Sequence, residues 1–95
     1  MTSKVYDSDM ENQLPELPRW RCHKIVQAVK IKEITVCAAG GAVIVPEGVD
    51  IPVFAVSAEY MGKHAPAIGG YFVVYEDGYR SWSPAKAFEE GYSRI

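Results

Sequence analysis

The sequence has few cysteines and no long apolar run. Cys22 and Cys37 are its only sulfhydryl residues, too few for the disulfide framework of a small secreted domain, so we expect a reduced, cytoplasmic setting. The longest apolar stretch, residues 38–46, is interrupted by two glycines and is too short to cross a membrane. The first residues also lack the basic start and apolar centre of a signal peptide.

Motifs for catalysis, phosphate binding and metal binding are missing. The sequence holds no Walker A loop, no G-x-G-x-x-G turn and no G-x-S-x-G elbow. Its sulfur and imidazole groups lack the spacing of a zinc site, and two of them, Cys22 and His23, are neighbours on a predicted strand and point to opposite faces. We therefore expect no metal, no cofactor and no catalytic residue, and a protein that is not an enzyme.

The remaining composition is that of one folded domain. The chain has 95 residues, of which 48% are hydrophobic, 23% charged and 12% aromatic. Residues 1–18 are polar and acidic and contain two prolines, which predicts a flexible arm whose end is pinned by Leu14 and Leu17. Residues 19–95 are expected to form a single domain.

β-branched residues dominate the first part of this domain. Residues 20–37 contain no glycine or proline and predict one long strand. Their apolar positions change phase along the run, which indicates a bulge or a bend between two packing surfaces. Short strands at 42–45 and 52–56 complete a three-stranded meander.

The next segment predicts a helix followed by a hairpin. Ser57 is a suitable N-cap for a short helix over residues 58–64. Two β-rich runs then flank Asp77-Gly78, a dipeptide typical of a two-residue hairpin turn. Such a turn would place Trp82 on the same face as Tyr71.

A second helix is predicted at the C-terminal end. Ser83 and Pro84 have the character of an N-cap and a first helical residue, and Gly91 is placed to end a helix over residues 85–90. Phe88 would fasten this helix to the sheet. The predicted fold class is α+β, a small twisted antiparallel sheet of about five strands (the meander plus the C-terminal hairpin) with two short helices.

Basic and aromatic residues form the strongest candidate for a binding surface. Residues 19–32 contain five basic residues and no acidic one. Tryptophan, tyrosine and arginine anchor protein interfaces and can stack on planar or anionic ligands, although the same aromatics also suit a core. The candidate binding residues are Trp20, Arg21, His23, Lys24, Tyr79, Arg80 and Trp82.

Three kinds of ligand are compatible with this set. A protein partner is favoured, and a nucleotide-like anion is the alternative. Nucleic acid bound through residues 19–32 comes third, because the sequence pI is about 5.6. We also expect a homodimer, since one small core gives modest stability and self-association would protect an exposed strand edge.

Two stretches resemble a group of small uncharacterised proteins of tailed bacteriophages and prophages. They are the pattern HKxVxAxKI at residues 23–31 and the pattern GYxVxYxDGYxSWSPxxAFExGY at residues 70–92. The resemblance implies a phage origin and a compact α+β domain, and it brings no known activity or ligand. We therefore expect a phage accessory protein in the host cytoplasm, a non-enzymatic module that engages a host protein for host takeover or anti-defence.

Overall fold

The computed structural model describes residues 14–22 and 24–95. The predictions for residues 1–13 and for His23 lie outside the described residues. No helix in the described part is long and apolar enough to cross a membrane. The elements, in chain order, are β1 (Arg19–Arg21), β2 (Ile25–Val36), β3 (Ala42–Pro46), β4 (Phe54–Val56), α1 (Ala58–His64), β5 (Tyr71–Val74), β6 (Arg80–Ser83), α2 (Ala85–Gly91) and β7 (Ser93–Arg94).

Strand β2 organises the sheet, because it pairs with β1, β3 and β5 along its length. Five antiparallel strands lie in the order β4-β3-β2-β5-β6, and α1 connects β4 to β5. This connectivity is that of the OB-fold, a partly open five-stranded barrel. The short strands β1 and β7 extend the sheet beyond β2. The predicted α+β class, with about five strands and two helices, is confirmed.

A bulge in β2 explains its change of apolar phase. Before it, Val29 and Ile31 point into the larger hydrophobic cluster, and after it Ile34 packs against the same cluster. The pairing of β2 with β3 shifts register between Ile31 and Glu33. One extra residue in β2 inverts the alternation of its side chains. Odd-numbered positions therefore face the core before the shift, and even-numbered positions face the same core after it. The predicted bulge is confirmed.

The prediction of one uninterrupted strand over residues 20–37 is wrong. The chain reverses after β1, where the Cys22 N–H donates to the Lys24 carbonyl at 2.9 Å. Strand β1 then pairs antiparallel with β2, and Trp20 lies opposite Val26. This reversal packs Trp20 against the sheet. The local sequence does not predict the reversal, because the turn contains neither glycine nor proline.

The hydrophobic interior consists of two clusters on opposite faces of the sheet. The first fills the inside of the curled sheet beneath α1 and contains Leu17, Val29, Ile31, Ala42, Ile44, Phe54, Val56, Tyr60 and Phe72. The second lies beneath α2 and contains Val26, Ala28, Tyr71, Val73 and Phe88. Leu17, which the sequence places at the end of the arm, is only 3% exposed, and Leu14 packs against the first cluster.

Helix α1 has the predicted bounds. The Ser57 hydroxyl accepts a hydrogen bond from the Tyr60 N–H at 3.0 Å, which satisfies one of the free donors of the first turn. The helix ends at His64, and the next residue, Ala65, has a left-handed φ of 44°. Strand β4 begins at Phe54 rather than at Pro52. Proline has no N–H to donate to the strand ladder.

The hairpin has a three-residue loop, so the prediction of a two-residue turn is wrong. Phe72 lies opposite Trp82, and residues 76–78 form the loop, with Gly78 at a φ of 91°. A left-handed glycine at the third position is the usual way to close such a loop. The register is thereby shifted by one residue, and Trp82 shares a face with Phe72 instead of Tyr71.

Helix α2 begins and ends differently from the prediction. Pro84 is the N-cap and makes no side-chain capping bond, while Ser83 remains in β6 opposite Tyr71. Gly91 is the last helical residue and does not follow the helix. The predicted N-cap role of Ser83 is wrong, because the strand ladder holds Ser83 in extended geometry, and the helix ends one residue later than predicted. The predicted anchor is confirmed, since Phe88 is 1% exposed.

Candidate partner-binding surface

Trp20 is packed against α2. Its ring meets Phe88 edge-on at a centroid distance of 5.0 Å and Tyr71 at 5.6 Å. The indole N–H donates to the Ala28 carbonyl at 3.1 Å. This donor and these ring faces are used inside the domain, so Trp20 contributes to stability more than to an open surface.

Trp82 lies directly over the backbone of Gly70. A Cβ atom at residue 70 would overlap the indole ring, and Trp82 packs against the first hydrophobic cluster. Its indole nitrogen is buried and makes no hydrogen bond among the described residues. Like Trp20, this tryptophan is part of the packing.

The basic residues of segment 19–32 lie on two opposite faces of the sheet formed by β1 and β2. Arg19 and Arg21 lie opposite Gln27 and Ile25 and share their face. Lys30 is on the other face, where its ammonium group lies 3.4 Å from the Glu89 carboxylate of α2. Residues 19–32 therefore do not present their charges as a single basic strip.

Two stacked tyrosines flank the hairpin loop. The Tyr75 and Tyr79 rings are 6.0 Å apart with an interplanar angle of 11°. The Asp77 carboxylate accepts from the Tyr79 N–H at 3.0 Å, which fixes the loop. On the outer side, the Lys24 ammonium group lies 4.6 Å from the centre of the Tyr75 ring.

The end of α1 meets Tyr79 from the other side. The Lys63 ammonium group lies 5.0 Å from the centre of the Tyr79 ring, and His64 Nε2 lies 3.5 Å from the Tyr79 hydroxyl. A hydrogen bond with Tyr79 is the main cause that raises the pKa of Lys63. Partial burial, and secondly the charge of Lys63, lower the pKa of His64. At neutral pH the site thus holds a charged lysine beside a neutral imidazole.

Tyr60 fixes α1 in this position. Its hydroxyl donates to the Ser81 carbonyl of β6 at 2.8 Å, and its ring packs on Phe72 at 5.5 Å and on His64 at 4.8 Å. Burial, with a smaller contribution from Tyr79, raises the pKa of Tyr60. The hydroxyl therefore stays protonated and continues to donate.

These contacts define one partly exposed surface, the hairpin-tip surface, whose cationic and aromatic side chains lie among the acidic residues Glu59, Glu76 and Asp77. Tyr79 is 43% exposed at its centre and lines two shallow clefts, of about 310 and 430 Å³. Tyrosine and arginine are enriched among the residues that anchor protein interfaces. The hairpin-tip surface comprises Lys24, Lys63, His64, Tyr75, Tyr79 and Arg80.

The structure brings only part of the predicted set together. Lys24, Tyr79 and Arg80 line the two clefts, whereas Arg21 is exposed at the end of β1 and both tryptophans are packed. Lys63 and His64 belong to the hairpin-tip surface but were not among the predicted residues. The sequence signal that could have indicated them was their position at the end of a predicted helix that precedes a predicted hairpin. Their contact with Tyr79 depends on the three-residue loop.

Apolar side chains are exposed elsewhere, mainly in the loop between β3 and β4. Val49 is 98% exposed and Val53 is 56% exposed. Val36 is exposed at the end of β2, and Ile68 is exposed between α1 and β5. Single exposed apolar residues are normal on protein surfaces.

Metal-binding groups do not converge within residues 14–22 and 24–95. No group of three or more histidine, cysteine, aspartate or glutamate side chains in this part could hold a metal ion. Cys22 and Cys37 are half-buried and are not joined in a disulfide.

Fold and surface together describe a small α+β domain built on an OB-type sheet, with a tyrosine- and lysine-bearing surface at the hairpin tip. The chain matches no protein-family model, and no curated protein matches it. It is similar to the NMR solution structure of the monomeric form of the phage L decoration protein, with a TM-score of 0.65 and 26% sequence identity. The alignment covers 86% of this chain and 62% of that chain, so this chain spans about three fifths of the length of its structural neighbour. The similarity supports a small phage accessory protein.

Proposed function

We propose that this chain is a non-enzymatic phage accessory protein that binds the outer protein shell of a phage particle. The single observation that carries this proposal is the shared fold and 26% identity with the phage L decoration protein. To decorate a particle is to bind its exposed surface, so a protein partner from the phage replaces the host protein expected from the sequence.

The hairpin-tip surface supports a protein partner. It exposes Tyr79 next to lysine side chains, on a hairpin and a helix that are each fixed by hydrogen bonds to the rest of the domain. A rigid aromatic group flanked by charge loses little side-chain entropy when it is buried by a partner. The divided basic segment gives less support to a nucleic acid, which would need a continuous track of positive charge.

Co-sedimentation with purified phage particles tests the proposal. The chain is mixed with particles of the phage that encodes it and separated on a density gradient. We expect it to sediment with the particles and to saturate at a fixed number of copies per shell, because equivalent shell positions are finite. Excess unlabelled chain should displace labelled chain from the same fractions.

The opposite outcome is equally clear. If the chain stays at the top of the gradient with intact particles, while one host protein is recovered with it in stoichiometric amounts from a lysate, the host-partner hypothesis replaces this one. A nucleotide released from the purified chain on denaturation would instead favour the small-molecule alternative. The expected homodimer stays a prediction, and sedimentation of the free chain tests it.

A further inference from the structure

The smaller cleft of the hairpin-tip surface lies between α1 and the hairpin loop. We call it the α1–hairpin cleft. Its volume of about 310 Å³ is at the lower end of the range of ligand pockets, which suits one side chain or a short segment. Lys63 and Arg80 line it together with one acidic residue, Glu59. The cleft is thus locally positive in a chain whose net charge is −2.

Hydrogen-bond donors converge in this cleft. The Lys63 ammonium group lies 5.0 Å from the centre of the Tyr79 ring, and a hydrogen bond with the Tyr79 side chain raises the pKa of Lys63. The imidazole of His64 lies 3.5 Å from the same hydroxyl and adds a further polar nitrogen. An ammonium group and a phenol are strong donors for a group that only accepts hydrogen bonds.

The backbone elements that carry these donors are fixed relative to each other before any partner arrives. Asp77 fixes the backbone of Tyr79, and the Tyr60 hydroxyl ties α1 to β6 at 2.8 Å. The helix and the loop cannot therefore move apart without breaking hydrogen bonds. A site organised in this way pays less ordering entropy when it binds.

We propose that the α1–hairpin cleft binds a carboxylate side chain, an aspartate or glutamate that projects from the partner protein. The carboxylate would accept from the Lys63 ammonium group and the Tyr79 hydroxyl. This inference rests on the proposed function for the identity of the partner, and it adds the chemistry by which that partner is recognised. A charge-assisted pair of this kind gives specificity, because a partner that lacks the acidic side chain would cover the Lys63 and Tyr79 donors without pairing them.

Two substitutions and one matched control test the contact on particles. Lys63→Gln and Tyr79→Phe each remove one donor, and we expect each to weaken co-sedimentation with particles roughly tenfold. Lys86→Gln removes the same charge from the exposed face of α2 and is expected to change affinity less than about twofold. Thermal melting of all three variants should match the unmodified chain, which excludes loss of folding as the cause. Equal particle binding by all variants would overturn the carboxylate contact and leave the particle partner standing.

A peptide titration tests the chemistry without particles. The probes are a short acetylated glutamate peptide and the glutamine peptide of the same length. We expect the glutamate peptide to shift the amide resonances of Lys63, His64 and Tyr79, and the glutamine peptide to leave them in place. If both peptides act alike, or neither shifts these three resonances, the carboxylate proposal fails. Because no particle is involved, this result is independent of the success or failure of the proposed function.

Discussion

At the scale of single residues, two glycines with opposite surroundings show what the packing requires. Gly70 lies under the indole ring of Trp82, and a Cβ atom there would overlap that rigid ring. We expect Gly70→Ala to lower the free energy of unfolding by about 3 kcal/mol, because the sheet or the indole must shift to make room. Urea denaturation of the purified variant measures this loss.

The control is Gly62→Ala in the middle of α1. Nothing lies within 4 Å of a Cβ atom placed at residue 62, and alanine is the better helix former by about 1 kcal/mol. We expect this variant to be as stable as the unmodified chain or more stable. Equal destabilisation by both substitutions would contradict the account of Gly70.

The titration of His64 is a second residue-scale prediction. It is faced by the Lys63 ammonium group, the Tyr79 hydroxyl, the Tyr60 ring and the backbone of Arg80. We expect NMR titration to give a pKa below the ordinary 6.5. Lys63→Gln should move it part of the way back, because burial remains as the larger cause. A wild-type pKa at or above 6.5 would contradict this electrostatic description.

The same shift has a consequence for stability. Unfolded His64 binds its proton at a higher pH than folded His64, so its contribution to stability is complete above pH 6.5 and falls as the pH decreases toward the folded pKa. A variant that lacks this imidazole should lose less stability over that range. Denaturation curves at several pH values measure the difference.

At the scale of elements, α2 depends on a single buried side chain. Phe88 stacks on Tyr71 at 4.3 Å and on Tyr92 at 4.5 Å, and the helix has no side-chain N-cap. We expect Phe88→Ala to cost about 3–5 kcal/mol of stability. Glu90→Ala, at an exposed position of the same helix, should stay within about 0.5 kcal/mol. A small loss for Phe88→Ala would show that α2 is held mainly by other contacts.

The elements that sequence reasoning finds are those with a local chemical signature. Helix α1 has its capping serine, and the change of phase in β2 is visible from the alternation of apolar residues. The reversal between β1 and β2 has no such signature. The hairpin loop has a misleading one, since Asp77-Gly78 also suits a two-residue turn. A single-residue change of loop length then moves Trp82 to the other face.

The same limit applies to the candidate site. Of the predicted residues, Lys24, Tyr79 and Arg80 line the two clefts, although the turn beside Tyr79 and Arg80 was predicted one residue too short. The sequence does not distinguish a packed tryptophan from an exposed one, because both occur in strand segments with the same kinds of residues and the same alternation of apolar and polar positions. Lys63 and His64 reach Tyr79 through tertiary contacts of α1 with β6, and these depend on the Tyr60 hydroxyl.

At the scale of the whole molecule, the fold determines where the hairpin-tip surface lies on the domain. The curled sheet and α2 form the supporting body, and the hairpin-tip surface gathers exposed cations and tyrosines at one side. The similarity to the phage L decoration protein extends over 86% of this chain. The proposed carboxylate contact specifies which side of the domain faces the shell of the particle.

Cryo-electron microscopy of phage particles saturated with the chain tests this claim most directly. The account predicts added density on the outside of the shell, with the α1–hairpin cleft against the shell and next to an acidic side chain of the shell protein. Bare shells at saturating concentration would contradict the proposed function. Bound copies with the hairpin-tip surface turned toward solvent would contradict the proposed contact.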